Sequence, residues 1–208
     1  MAEVECASLT TLIAGLGGQG VLLAGGILAQ AALLAGYDVR QSEIHGLSQR
    51  FGSVSCQIRI GHGVYSPHRG HGAIDLLVSL EGYEAMKQLP FLRSSGQALV
   101  NRLWRKPIAA KPTAAVELPE LDDPRVEWFA GSDVTQQAEC PRSLNLFMVG
   151  VMSTRFEIEE AYWRESIDSL ISKSGRDANH QMFIQGRRHA STLNERGPRR
   201  SLSLASAD

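Results

Sequence analysis

Apolar and polar positions change period along this chain, and the changes divide it into elements. Leu9 to Ala14 is a short apolar run that stops at Gly15 and reads as a first strand. Val21 to Ala35 carries one polar side chain, Gln30, so it predicts a helix apolar nearly all round and therefore buried. Gly36 stands where a helix C′ residue is expected. Tyr37 to Gln41 predicts a second short strand. From Ser53 to Ile60 the alternation is strict: Val54, Cys56, Ile58 and Ile60 on one face, Ser55, Gln57 and Arg59 on the other. That pattern predicts a half-exposed strand in antiparallel pairing, with Gly61-His62-Gly63 turning it into Val64-Tyr65 as a hairpin. Further strands are predicted over Ile74–Leu80, Gln97–Asn101 and Val126–Ala130, and a helix broken by Pro90 over Gly82–Leu92. Val116 to Arg125, with Pro119 and Pro124, reads as a long surface loop.

Beyond Ser143 the period is helical: Leu144–Phe156, Glu159–Ser172 and Asp177–Arg188. After His189 the residues are mostly Ser, Arg, Gly, Pro and Ala, which predicts a disordered tail over 190–208 and one domain over 1–189. Strand–helix alternation closed by helices predicts an α/β fold: three layers around a Rossmann-like open sheet, mostly parallel with an antiparallel hairpin, and a helical C-terminus.

Two segments carry the candidate chemistry. Gly15-Leu16-Gly17-Gly18-Gln19-Gly20 lies between a predicted strand and a predicted helix, where backbone amides can approach a phosphate. The same glycines would equally serve a tight turn that lets helix and strand pack closely. Val21 occupies the position of a Walker lysine, so a P-loop is excluded. Ser42 to Ser53 crowds Glu43, His45, Ser48, Gln49 and Arg50 together, with Gly46 and Gly52 as hinges. In an open α/β sheet both segments would meet at the carboxyl ends of the strands. Glu43 and His45 are candidate acid–base partners and Arg50 a candidate anion holder. A loop that binds a neighbouring chain would use the same groups. Gly46-Leu47-Ser48-Gln49-Arg50 lacks the final glycine of a nucleophile elbow, so Ser48 reads as a hydrogen-bonding residue.

Charge and cysteines narrow the classes. A net charge of -1 gives no electrostatic footprint for nucleic acid or an anionic membrane. Cys6, Cys56 and Cys140 are far apart, so the chain by itself holds no iron–sulfur cluster or Cys-rich zinc site, and reduced thiols in the cytoplasm are expected. His62, His68 and His71 invite a metal, but their nearest carboxylate, Asp75, falls in a predicted strand, and the reading is no metal site. Val21–Ala35 as a helix rises roughly 22 Å, short of a ~30 Å bilayer core. No Lys or Arg precedes it, which argues against a signal peptide.

The glycine turn through Val21, the Ser42–Arg50 segment and the Gly52-Ser53-Val54 to Arg59-Ile60-Gly61 strand together resemble the γ domain of 2-oxoacid:ferredoxin oxidoreductases, in particular the small β subunits of indolepyruvate ferredoxin oxidoreductases. Ile74 to Glu81, Gly96 to Asn101, Asn145 and Asn179 to Gly186 follow the same pattern. The resemblance implies a subunit without thiamine, working in a cytoplasmic hetero-oligomer. A larger partner would bring thiamine diphosphate and iron–sulfur clusters, and ferredoxin would be reached through it. The complex would decarboxylate a 2-oxoacid, of indolepyruvate or arylpyruvate type, and pass the acyl group to coenzyme A. Glu43, His45 and Arg50 would then be catalytic, and Gly15, Gly17, Gly18, Gln19, Gly20, Ser48 and Gln49 would bind cofactor. Phe51 departs from the family's usual glycine, and an aromatic residue there does not take φ > 0 cheaply. Two rivals stand beside this reading: a free-standing Rossmann-type nucleotide-binding dehydrogenase, and a non-catalytic assembly module.

Overall fold

The computed structural model describes residues 8–45, 52–105, 121–172 and 175–194. Six strands form one sheet: β1 (Ser8–Leu16), β2 (Asp38–His45), β3 (Ser53–Gly61), β4 (Ile74–Ser79), β5 (Leu92–Asn101) and β6 (Val126–Phe129), in the order β2-β3-β1-β4-β5-β6. β1, β4, β5 and β6 run parallel, and β3 is antiparallel to both of its neighbours. The sheet is thus mostly parallel, as expected, with an antiparallel hairpin. The hairpin is β2–β3, not the pairing of Ser53–Ile60 with Val64-Tyr65 that the Gly-His-Gly turn predicts. Val64 is buried instead while Tyr65 is exposed, and no strand forms there.

β2 runs to His45, four residues past its predicted end. Its polar composition suits an edge strand, where one side of the backbone and much of the side-chain surface meet solvent. β3 differs from expectation in the other direction. Its apolar face packs under α1 (Val21–Leu34), but its polar face is covered as well, with Ser55 and Gln57 buried. The cover is the irregular stretch after β3: the Gln57 amide donates to the Arg69 carbonyl at 3.3 Å and Arg59 reaches the Ser66 carbonyl at 3.4 Å.

The larger core lies on the α1 face of the sheet, joined by α4 (Leu144–Ser153), α5 (Glu160–Leu170) and α6 (Arg176–Asn194). The smaller one lies on the opposite face, where Leu12, Ala14, Leu77 and Val100 meet Ala85 of α2 (Gly82–Gln88). These are the three layers. α4 stops at Ser153 rather than Phe156. A short helix that the sequence pattern does not predict, α3 (Gly131–Gln137), precedes it. α6 continues to Asn194, so residues 190–194 are helical where a disordered tail is predicted. Arg187, inside the last predicted helix, donates to Ser153 Oγ at 2.7 Å and pairs with Glu160. Residues 195–208 and the predicted loop at 116–120 lie outside the described residues. No helix among the described residues is long and apolar enough to cross a membrane.

Candidate functional site

β1, an interior strand, delivers the glycine turn to the carboxyl end of the parallel strands. Leu16 ends the strand paired with Ser53, and Gln19 folds back over it: its N–H donates to the Leu16 carbonyl at 3.0 Å and its Oε1 accepts the Leu16 N–H at 2.7 Å. Gly18 and Gly20 both have positive φ, 91° and 80°, which selects glycine. No side chain caps α1, so the amides of its first turn remain for an outside acceptor. A Cβ on Gly18 would meet nothing within 4 Å. One on Gly20 would sit 2.4 Å from Asn145 Nδ2, so the helix start is pressed against α4.

Two polar atoms beside this turn are buried without partners: Gln19 Nε2 and Asn145 Oδ1. Because Gln19 Oε1 is engaged by Leu16, its amide nitrogen is the end left over. One free donor and one free acceptor, next to uncapped helix amides, suit a ligand that carries an anionic group together with an N–H or O–H.

The second segment reaches the same end of the sheet. β2 and β1 point the same way on either side of β3; His45 pairs with Val54 while Leu16 pairs with Ser53. Two strand spacings, about 10 Å, therefore separate the end of β2 from the glycine turn. The turn and the root of the hairpin are joined directly, since Gly17 N–H donates to the Gly52 carbonyl at 2.8 Å. Glu43 is exposed on β2, accepts from Gln41 Nε2 at 3.0 Å and faces Cys56 across the strands. Burial, and secondarily the Glu43 charge, push the Cys56 thiol up to about 12, so it is held as an inert thiol. Ser48, Gln49, Arg50 and Phe51 lie outside the described residues, as does the His45 side chain.

A neighbouring carboxylate is not legible in the sequence. Glu84 in the first turn of α2 is buried, accepts a short hydrogen bond from Ser53 Oγ and pairs with Lys87 Nζ at 2.6 Å. Glu81, the N-cap of α2, is buried too and accepts from the backbone N–H groups of Glu84 and Arg105. In sequence Glu84 looks like an ordinary solvent-facing helix residue; only the spacing Glu81-x-x-Glu84, which resembles a capping box, hints otherwise.

The three histidines go to separate places. His62 packs on Tyr37, His71 stacks on Phe91 and His68 sits 3.4 Å from Ser42 Oγ. Asp75 is taken by the Thr10 N–H at 2.6 Å and by Arg93.

The family described as pyruvate ferredoxin/flavodoxin oxidoreductase matches residues 10–189. Over 187 residues the chain is 33% identical to indolepyruvate oxidoreductase subunit IorB of Thermococcus kodakarensis, covering 84% of this chain and 92% of that protein. It is 35% identical over 179 residues to the subunit of the same name from Archaeoglobus fulgidus, covering 78% and 88%. The γ subunit of a keto/oxoacid ferredoxin oxidoreductase from Geobacter sulfurreducens superposes with a TM-score of 0.68 at 21% identity, over 88% of this chain and 99% of that one. A 2-oxoglutarate:ferredoxin oxidoreductase from Magnetococcus marinus, with 2-oxoglutarate, coenzyme A and succinyl-CoA bound, superposes with a TM-score of 0.75 at 19% identity. The superposition takes in 94% of this chain but 33% of that much longer one. At such identities the two structures speak for the fold.

Proposed function

This chain belongs to the pyruvate ferredoxin/flavodoxin oxidoreductase family, and from that membership we propose that it is the IorB-type, non-thiamine subunit of a 2-oxoacid ferredoxin oxidoreductase acting on an indolepyruvate-like arylpyruvate. The observation that carries the site is the tie between Gly17 N–H and the Gly52 carbonyl, which holds the glycine turn and the hairpin root as one unit at the carboxyl end of β1. A larger partner subunit faces that end of the sheet. In the assembled complex its thiamine diphosphate and iron–sulfur clusters supply decarboxylation and one-electron transfer to ferredoxin.

The residues of this chain bind, orient and move protons. Gly15 lets the strand end pack against Val21 and Gln19, Gly17 anchors the turn to the hairpin root through its own amide, and Gly18 and Gly20 bring the following backbone amides to an anionic group such as a coenzyme A phosphate. Gln19 Nε2 and Asn145 Oδ1 fit the remaining donor and acceptor demands of that ligand. In this reading Ser48 and Gln49 are hydrogen-bonding residues for the cofactor, Arg50 is the anion holder for the oxoacid carboxylate, and Glu43 and His45 are the acid–base pair. The described cysteines, Cys56 and Cys140, are free thiols, in keeping with a reducing cytoplasm.

The test is co-expression with a thiamine- and iron–sulfur-bearing partner. The expected result is a coloured complex that reduces ferredoxin when given indolepyruvate and coenzyme A. In that complex His45→Ala and Arg50→Ala should each lower turnover without changing the amount of complex. A colourless monomer that captures no partner would refute the assignment, and normal turnover after replacing the whole 43–50 segment would favour an assembly module.

A further inference from the structure

The catalytic and binding roles given to the two motif segments leave the Glu84 carboxylate unused, although it sits at the joint between them. A glutamate at the third helical position commonly reaches back to cap its own helix. Here the N-cap N–H is taken by Ser79 Oγ at 3.4 Å, and the Glu81 carboxylate caps the Glu84 amide at 2.8 Å. The Glu84 side chain is thereby released toward β3. One of its oxygens receives the Ser53 hydroxyl and the other is balanced by Lys87 Nζ at 2.6 Å. Lys87 is itself 58% exposed, so the buried carboxylate leans on one solvated cation and one hydroxyl.

Ser53 is the residue through which this carboxylate acts. It opens β3, pairs with Leu16 at the end of β1, and directly succeeds Gly52, whose carbonyl accepts the Gly17 N–H. Moving Ser53 would shift the hairpin root and the glycine turn relative to each other.

We propose that Glu84 is a positioning residue that, through Ser53 and with Lys87 as counter-charge, sets the hairpin root at Gly52 and Ser53 against the glycine turn. The proposal rests on the assignment of this chain as an oxoacid oxidoreductase subunit. It adds that alignment of the hairpin root with the turn, rather than new contact with substrate, is what Glu84 contributes.

The test uses Ser53→Ala, Ser53→Thr and Glu84→Gln, each read in two ways. In the full chain alone, hydrogen exchange at the Gly17 amide should quicken about tenfold in Ser53→Ala and Glu84→Gln, and return to the parent rate in Ser53→Thr. In the assembled complex, turnover should fall about tenfold in Ser53→Ala, since misplacement by about 1 Å can cost up to ~10²-fold. The quantity of complex should be unchanged, and Ser53→Thr should restore the rate. Unchanged exchange in both variants overturns the tether. Faster exchange with unchanged turnover, loss of assembly in Ser53→Ala, or failure of Ser53→Thr to restore either readout overturns the positioning role. If the parent complex turns over no oxoacid while the exchange pattern holds, the functional assignment fails and the tether stands.

Discussion

At Gly20 two demands fall on one residue. Its φ of 80° costs a side-chain-bearing residue roughly 1–2 kcal/mol, and a Cβ would arrive 2.4 Å from Asn145 Nδ2, adding overpacking of about 1–3 kcal/mol. Gly20→Ala should therefore lower the melting temperature by on the order of 5–10 °C. Gly18→Ala meets the φ demand alone and should lose about half as much, so a calorimetric comparison of the two separates strain from crowding. Cys56 makes a prediction of the opposite kind, read through pH. Its folded-state value of about 12 lies above the ordinary 9.0, mainly through burial and then through Glu43, so the folded chain keeps a proton that the unfolded chain releases. The contribution is complete below about pH 9 and drains away as pH climbs toward 12. Melting temperature should drop between pH 8.5 and about pH 11 more steeply in the parent than in Cys56→Ala, whatever the starting stability of the variant. Equal slopes would reject the account.

Among the elements, α4 and α6 show how small residues decide a packing. A Cβ on Gly150 would stand 2.0 Å from the Phe183 carbonyl oxygen, and one on Gly186 would stand 1.9 Å from that of Phe147. The two helices thus touch backbone to backbone, and neither obstacle is a flexible side chain that could swing aside. Gly150→Ala or Gly186→Ala should cost at least ~3 kcal/mol, seen as a loss of soluble folded chain or a melting temperature lower by about 10 °C. Each glycine lies within a helical pattern, where sequence alone suggests a weak point rather than a contact. The same contrast runs through the other elements. β1 and β4 are legible as short, fully buried apolar runs, α1 as a long one closed by glycine, and β3 by its strict alternation. β2 reads as ending at Gln41 because Ser42, Glu43 and His45 look like a loop, and an edge strand needs no apolar alternation to pair. The Gly61-His62-Gly63 turn misleads because glycines permit a hairpin without compelling one. The chain beyond that turn is instead laid over Gln57 and Arg59, which hold it through the Arg69 and Ser66 carbonyls. α3 and the end of α6 are too polar to announce themselves. At the site the glycine turn can be read directly, but Glu84 cannot: its hydrogen-bond partner is Ser53, 31 positions away.

For the whole molecule, sheet order decides between uses of a glycine turn. A dinucleotide fold places the strand after the first helix beside β1, so that an acid at its end meets the ribose while the pyrophosphate rests on the turn. In this sheet β3 lies between β1 and β2, antiparallel to both. Glu43, the acid in the appropriate stretch of sequence, is paired with Cys56 one strand farther out, which adds about 5 Å to the span. The root of the hairpin is also tied down beside the turn, Gly52 hydrogen-bonded to Gly17 and Ser53 to Glu84. The glycine turn keeps the uncapped amides of the helix start but has no adjacent parallel strand end to meet a ribose. Accordingly NADH or NADPH at millimolar concentration should leave the melting temperature of the isolated chain unchanged. A true site with a dissociation constant near 10 μM would stabilise it by ~2.7 kcal/mol at a hundredfold excess, a rise of about 5–10 °C that thermal-shift titration could not miss. Coenzyme A should raise it modestly, and 3′-dephospho-coenzyme A, which lacks one of the phosphates, should raise it less or equally according to which phosphate the turn holds. A clear rise with NADH would mean that an inserted strand does not prevent dinucleotide binding, and the free-standing dehydrogenase would return as the better account.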